Sequence, residues 1–268
     1  MYNNLIQLIK QYDALNLSQV FDYERFNQYT IIYHSTFIEG STLTLTETRL
    51  LLEQQLTPKG KPISHSLMVQ DHYAALQFVI QSATQKTPFS VDFVQKINAN
   101  VLQQTGAVYQ TVFGEMDSRK GIFRKANVSA GLHYFPNYEK VERLSNQLVT
   151  SINEQLKTDL SLEKKLNLTF DAHFDFVSIH SFYDGNGRTA RLLSNYFQVL
   201  FGLPLMDIFS EDKNEYFEAL EASRNQESLY PFRTFMCAQY EKYCTQEIER
   251  FEKMKEDKPD KKAFSFVF

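Results

Sequence analysis

The sequence predicts an all-α bundle of helices with one short β-hairpin set into it. Three observations carry that prediction. The 268 residues include only 9 glycines and 7 prolines, about 6% together where an average globular protein has about 12%, so few turns are obligatory. Long stretches run without either residue and place apolar side chains at helical spacing. β-Compatible residues gather convincingly in one place, residues 121–135 (GIFRKANVSAGLHYF), on both sides of a small polar stretch.

The first expected helix, 18–39, has no internal breaker and stops at Glu39-Gly40, where Gly40 reads as a C-terminal cap. Thr44-Leu-Thr-Glu47 is a capping-box pattern that opens a helix to about Gln55. Pro58-Lys-Gly60-Lys-Pro62 is a loop. Helices are expected over 64–84 and 90–104, then the hairpin over 121–135. A helix over 138–157 follows, with Val141, Leu144, Leu148, Ile152 and Leu156 on one stripe. The remaining helices are expected over 162–179, 187–201, 211–223 and 231–254, before a mixed-charge tail that ends in Phe264-Ser-Phe-Val-Phe268.

Lys and Arg number 28 against 32 Asp and Glu, a net charge of −4. A general binder of nucleic-acid backbones needs a basic surface, so no nucleic acid is expected as a partner. No apolar stretch approaches 18 residues, and no membrane span is expected. MYNNLIQLIKQYD lacks the basic start and long apolar core of a secretory signal. Cys237 and Cys244 lie seven apart on one expected helix, about 10.5 Å along its axis and too far for a disulfide. Buried thiols in a reducing cytoplasm fit this pattern.

The chemistry is concentrated in His180-Ser-Phe-Tyr-Asp184-Gly-Asn-Gly-Arg188-Thr-Ala-Arg191, between two helices. Gly185 and Gly187 let backbone N–H groups approach a ligand, and with the next helix N-terminus they form an anion nest. Arg188 and Arg191 stand at i and i+3 in the first turn, at the positive end of the helix dipole. Cations are unfavourable there unless an anion joins them. Polyphosphate suits guanidinium forks. Asp184 beside it suggests Mg²⁺, and His180 is placed to act as a general base. An EF-hand is excluded because the acidic positions after Asp184 are missing. His173 and His180, seven apart, lack the i, i+4 zinc spacing.

The segment resembles the Fic family signature H-[PX]-F-x-[DE]-G-N-G-R-x-x-R at every functional position. Ser181 departs from the commonest residue, proline, and Phe182 matches the buried anchor. The resemblance covers roughly residues 30–245 and implies a Fic-type helical bundle with a β-hairpin flap. It implies a protein adenylyltransferase that moves AMP from ATP to a Ser, Thr or Tyr hydroxyl of a target protein, or of itself. His180 would take the hydroxyl proton and Asp184 would hold Mg²⁺. Gly185, Asn186 and Gly187 would cradle phosphates, Thr189 would join the nucleotide-binding residues, and Arg188 and Arg191 would neutralise the leaving pyrophosphate. Residues 121–135 resemble the family's flap, with Arg124, Val128, Gly131 and Pro136 at the expected spacing. Val128, Ser129, Ala130 and Gly131 would dock an extended target segment by strand addition. Tyr216 and Asn225 would contact adenosine.

A second motif, Ser35-Thr-Phe-Ile-Glu39-Gly40, resembles the inhibitory [ST]-x-x-x-E-[GN] motif. By that resemblance Glu39 pairs with Arg191 and denies the γ-phosphate its seat, with Ser35 one turn earlier in the same site. The implied organisation is an N-terminal helical region (1–60), a Fic core (61–252) and a tail (253–268). Self-association is a further expectation, since helical relatives often associate. Another donor such as phosphocholine, removal of AMP, and nucleotide binding without turnover stay open as alternatives.

Overall fold

The computed structural model describes residues 2–256 except 18, 19, 21, 131 and 132. Helices dominate, as expected. An unexpected one comes first, α1 (Asn3–Ala14), whose short apolar stripe of Leu5 and Ile9 is buried. It packs along α10 (Tyr230–Glu256), the last helix of the described chain. The second, α2 (Tyr23–Ile38), begins five residues later than expected because Asp22 lies in the left-handed region at φ 60°. It stops where Gly40 turns to φ 97° and the Ser41 amide closes on the Thr36 carbonyl at 3.0 Å. The capping box of α3 (Leu45–Gln54) is complete: Thr44 accepts from the Glu47 amide and Glu47 accepts from the Thr44 amide.

Two long helices, α4 (Ile63–Thr84) and α5 (Val91–Val101), come next. α5 ends three residues short of the expected 104. The buried Asp71 carboxylate of α4 collects the backbone amides of Gln104 and Thr105, at 2.9 and 3.0 Å, and draws the chain out of the helix. An unexpected antiparallel hairpin follows, β1 (Val108–Thr111) and β2 (Gly114–Asp117). Its turn leaves Val112 and Phe113 exposed. A strand pair that buries so little has no apolar alternation to betray it.

The expected hairpin at 121–135 is shorter than the sequence suggested, with β3 (Ser129–Ala130) paired to β4 (His133–Tyr134). Much of its backbone is held by one side chain instead of a ladder. Arg124 is fully buried and donates to the carbonyls of His180, Ala126 and Pro136. A 3-10 turn at 138–140 precedes α6 (Val141–Leu156), which therefore starts later than the expected 138. Then come α7 (Leu162–Ile179), α8 (Asn186–Phe201) and α9 (Lys213–Asn225).

The centre of the bundle is α8, clasped by α7 and α4. Every residue from Arg188 to Gln198 is buried. Its polar residues therefore need internal partners. Asn195 donates to Gln198 and to the Met206 carbonyl, and the Met206 amide returns to Gln198. Cys237 and Cys244 are buried on α10 without a disulfide, as expected. No described helix is long and apolar enough to cross a membrane. Residues 257–268 of the expected tail lie outside the described residues.

Candidate active site

The site forms where α7 stops and α8 starts. His180 caps α7 in the left-handed conformation, φ 53°, which turns its ring away from the helix axis. The ring stacks on Phe135 of the flap, centroids 3.8 Å apart and planes within 18°. Arg124 fixes the turn from below, through Nε to the His180 carbonyl at 2.7 Å and its amide to the Ser181 carbonyl at 3.0 Å. Ser181, the departure from the signature's usual proline, is buried and shares a hydrogen bond with Ser145 at 3.0 Å. Replacement of Arg124 by Ala strands several buried carbonyls. We expect a loss of about 3 kcal/mol, roughly 6–12 °C in Tm. Thermal denaturation checks this; an unchanged Tm contradicts the anchoring role.

The Asn186 side chain bridges both backbone groups of Phe182, accepting at 3.0 Å and donating at 2.9 Å. It shapes the turn, which leaves only its backbone to face a ligand. Thr189 is likewise engaged, by Asn98 Nδ2 at 3.2 Å, and the same amide donates to the Asp184 carbonyl at 3.0 Å. Gly185 has φ 75°, and a Cβ at Gly187 would stand 2.6 Å from Glu39 Oε1. A side chain at position 187 would have to displace the Glu39 carboxylate.

Arg188 and Arg191 are 2% and 1% exposed. Arg188 Nη1 reaches the Val101 carbonyl at 3.3 Å, and Nη2 stands 3.6 Å from Asp184 Oδ2. Arg191 donates through Nε to the Ser35 hydroxyl at 2.7 Å and through Nη2 to Glu39 Oε1 at 2.6 Å. Asp207 Oδ2 lies 3.8 Å from Arg191 Nε. Thus Ser35 and Glu39 meet Arg191 as the sequence pattern suggested. Asp207, a second carboxylate beside it, carried no sequence signal. Burial pulls the Glu39 carboxyl up, but the Arg191 and Arg188 charges outweigh it and hold Glu39 below the usual range.

Two guanidinium nitrogens, Arg188 Nε and Arg191 Nη1, are buried without an acceptor. Such donors are costly unless an anion meets them. Together with the Gly187 cradle they fit a phosphate chain. Asp184 offers one carboxylate with its side chain 49% exposed. The described residues form no group of three or more His, Cys, Asp or Glu that could hold a metal. A hard cation there would draw its other ligands from phosphate and water, as Mg²⁺ does.

Tyr216 lies beneath the site, fully buried, with its hydroxyl on His173 Nε2 at 2.8 Å. Asn225 is exposed at the end of α9, whereas its neighbour Arg224 turns inward, its guanidinium 5.8 Å from the Phe135 ring centre. On the flap, Ser129 and Ala130 are exposed and Val128 is half-buried; Gly131 lies outside the described residues. Tyr109 of β1 stacks on Tyr183 of the signature, centroids 5.0 Å apart.

Burial, reinforced by Arg124, pushes the His180 imidazole down to about 4, so it is neutral at pH 7. The Val177 carbonyl partly opposes this, although His180 Nδ1 makes no hydrogen bond of full geometry. Burial also lowers His34 to about 4, His173 to about 3 and His72 well below its ordinary value. Unfolded imidazoles take a proton near pH 6.5, whereas these folded ones refuse it until well below that pH. Stability is therefore lost as pH falls through that window. Asp13, and Asp175 and Asp207 at about 6, are raised by burial and act in the opposite direction, but they are outnumbered by the lowered imidazoles, His133 included. We expect Tm to fall between pH 6.5 and 4.5; a rise across that range contradicts buried neutral histidines.

Residues 88–198 match the family model described as Fic/DOC family. Over 206 residues the chain is 30% identical to proteins named protein adenylyltransferase Fic from Drosophila yakuba and Drosophila melanogaster. The match covers 76% of this chain and 39% of each of those proteins. The chain thus spans about two fifths of the length of the curated relatives it matches. Its fold is similar to a Fic-domain-containing signaling protein from Bacteroides thetaiotaomicron, with 25% identity and a TM-score of 0.80 over 94% of this chain and 98% of that one. It is also similar to Fic-1 from C. elegans, with 25% identity and a TM-score of 0.73 over 95% and 73%.

Proposed function

Residues 88–198 match the Fic/DOC family model, and from that premise we propose that the chain transfers AMP from ATP to a hydroxyl side chain of a protein target. The observation that carries the reading is the pair of buried guanidinium donors without acceptors, Arg188 Nε and Arg191 Nη1, next to a glycine cradle and a neutral histidine. The relatives' adenylyltransferase name supports the choice of AMP as the group moved.

His180 accepts the proton of the target hydroxyl as its oxygen attacks the α-phosphorus. The bond from that phosphorus to the pyrophosphate oxygen breaks, and the electron pair leaves with pyrophosphate. Arg188 and Arg191 neutralise the charge that builds there, already oriented by Val101 and Ser35. Asn186, Asn98 and Arg124 keep the loop in shape. Mg²⁺ beside Asp184 would supply positive charge to the phosphate oxygens.

Glu39 is the restraint. Its carboxylate takes the Arg191 edge that a phosphate would otherwise meet, and it stands against Gly187. Residues 1–60 are then the helical region that delivers the restraint, 61–252 the core and 253–268 the tail. Labelled ATP tests the reaction. With Glu39→Gly protein and Mg²⁺, label from the α-phosphate should enter acceptor protein, whereas label from the γ-phosphate should not. Asp184→Asn should raise the Mg²⁺ required. Incorporation from the γ-position would identify a kinase and overturn the proposal.

A further inference from the structure

A concavity of about 530 Å³ opens beside the flap, lined by β4, the start of α6 and the end of α9. Its lining includes His133, Lys140, Arg143 and Arg224 and no carboxylate. In a chain of net charge −4 this is a local reversal of sign. Among the described residues, no ion pair engages Lys140, Arg143 or Arg224. Arg143 donates only to the neutral Gln147, at 3.0 Å. Arg224 Nε and the hydroxyl of Ser178, also in the lining, are buried without a partner. Glu221 is close enough for its charge to be felt by Arg224 and His133, but it is not part of the lining.

The cavity lies on the acceptor side of the site. Asp184, Gly185, Gly187, Arg188 and Arg191 are all absent from its walls, whereas flap residues His133, Tyr134 and Phe135 form one of them. Tyr134 stands 81% exposed among them. Phe135 joins the cavity to the chemistry, since one ring stacks on His180 and lies under the Arg224 guanidinium. An extended chain rises ~3.3 Å per residue, so the cation and the base are no more than about three residues apart along a bound segment.

The geometry points to a target segment that carries an acidic side chain within about three residues of its acceptor hydroxyl, with the carboxylate seated among Lys140, Arg143 and Arg224. Guanidinium forks suit a carboxylate, and the lining offers Lys140, Arg143 and Arg224 with no carboxylate among them. The acceptor hydroxyl in this inference rests on the AMP-transfer reading, but the acidic seat can be measured without any transfer.

Fluorescein-labelled decapeptides with a central threonine, flanked by glutamates, by glutamines or by lysines, are titrated into the full wild-type chain without nucleotide. Anisotropy should report the glutamate peptide binding on the order of tenfold tighter than the glutamine peptide at low salt, with the advantage shrinking as salt is added. Lys140→Glu/Arg143→Glu, both at exposed positions, should abolish that preference and favour the lysine peptide. Lys10→Glu/Lys164→Glu makes the same charge change at exposed positions elsewhere and should leave the preference intact. Equal binding of glutamate and glutamine peptides overturns the inference, as does an equal effect of the two double variants or undetectable binding of all three peptides. Weakened ATP binding in Lys140→Glu/Arg143→Glu would also overturn it, by assigning the cavity to the nucleotide. Absence of AMP transfer by Glu39→Gly leaves these binding results readable and counts against the proposed reaction alone.

Discussion

Glu39→Gly should label acceptor protein from α-labelled ATP roughly ten- to a hundredfold faster than the wild type. The magnitude follows from the contact that is lost. A hydrogen bond from a charged group contributes ~1.5–3 kcal/mol, and here it joins a buried guanidinium to a carboxylate at 2.6 Å. Removing the carboxylate frees the Nη2 edge of Arg191 for phosphate. Ser35 and Asp207 still hold the guanidinium in place. Position 39 is the C-terminal cap of α2, where glycine costs little helix stability. Glu39→Gln separates charge from shape: it keeps the side-chain length, removes the negative charge, and should give an intermediate rate. A wild-type rate equal to that of Glu39→Gly would remove the restraint from the account.

His180→Ala in the Glu39→Gly background should lower the labelling rate by about 10²–10⁴-fold, the usual worth of a positioned general base. ATP binding should be nearly unchanged, because the phosphate-facing groups belong to α8 and its preceding loop. The residue has φ 53°, a conformation that asparagine tolerates better than alanine. His180→Asn is therefore the companion variant, and it should be equally slow with less backbone strain. Loss of rate together with loss of ATP binding would point to a collapsed loop instead of a missing base.

The site was legible where its residues are consecutive. Residues 180–191 place a base, a carboxylate, two glycines and two arginines within one turn and the start of one helix, and the fold keeps them together. The contact between Glu39 and Arg191 crosses 152 positions. It was visible only through a family resemblance, because nothing local pairs those two residues. Asn98, Asp207 and Arg224 left no trace. Each is a single polar residue whose role depends on which backbone or ring the tertiary fold brings beside it. The same reasoning explains the hairpin at 108–117, where exposed strands need no apolar alternation, and α1, whose buried stripe is only two residues long. Periodicity reported helices well because most of them bury one clear face. It says little about α8, where arginines and asparagines are as buried as the leucines.

The mass spectrum of a proteome exposed to the Glu39→Gly protein, ATP and Mg²⁺ shows which group the chain transfers. Acceptor peptides should be heavier by one AMP on serine, threonine or tyrosine, and these should be absent when Glu39→Gly is combined with His180→Ala. Acceptors heavier by a phosphate or another group, or ATP bound with no acceptor modified, would contradict AMP transfer.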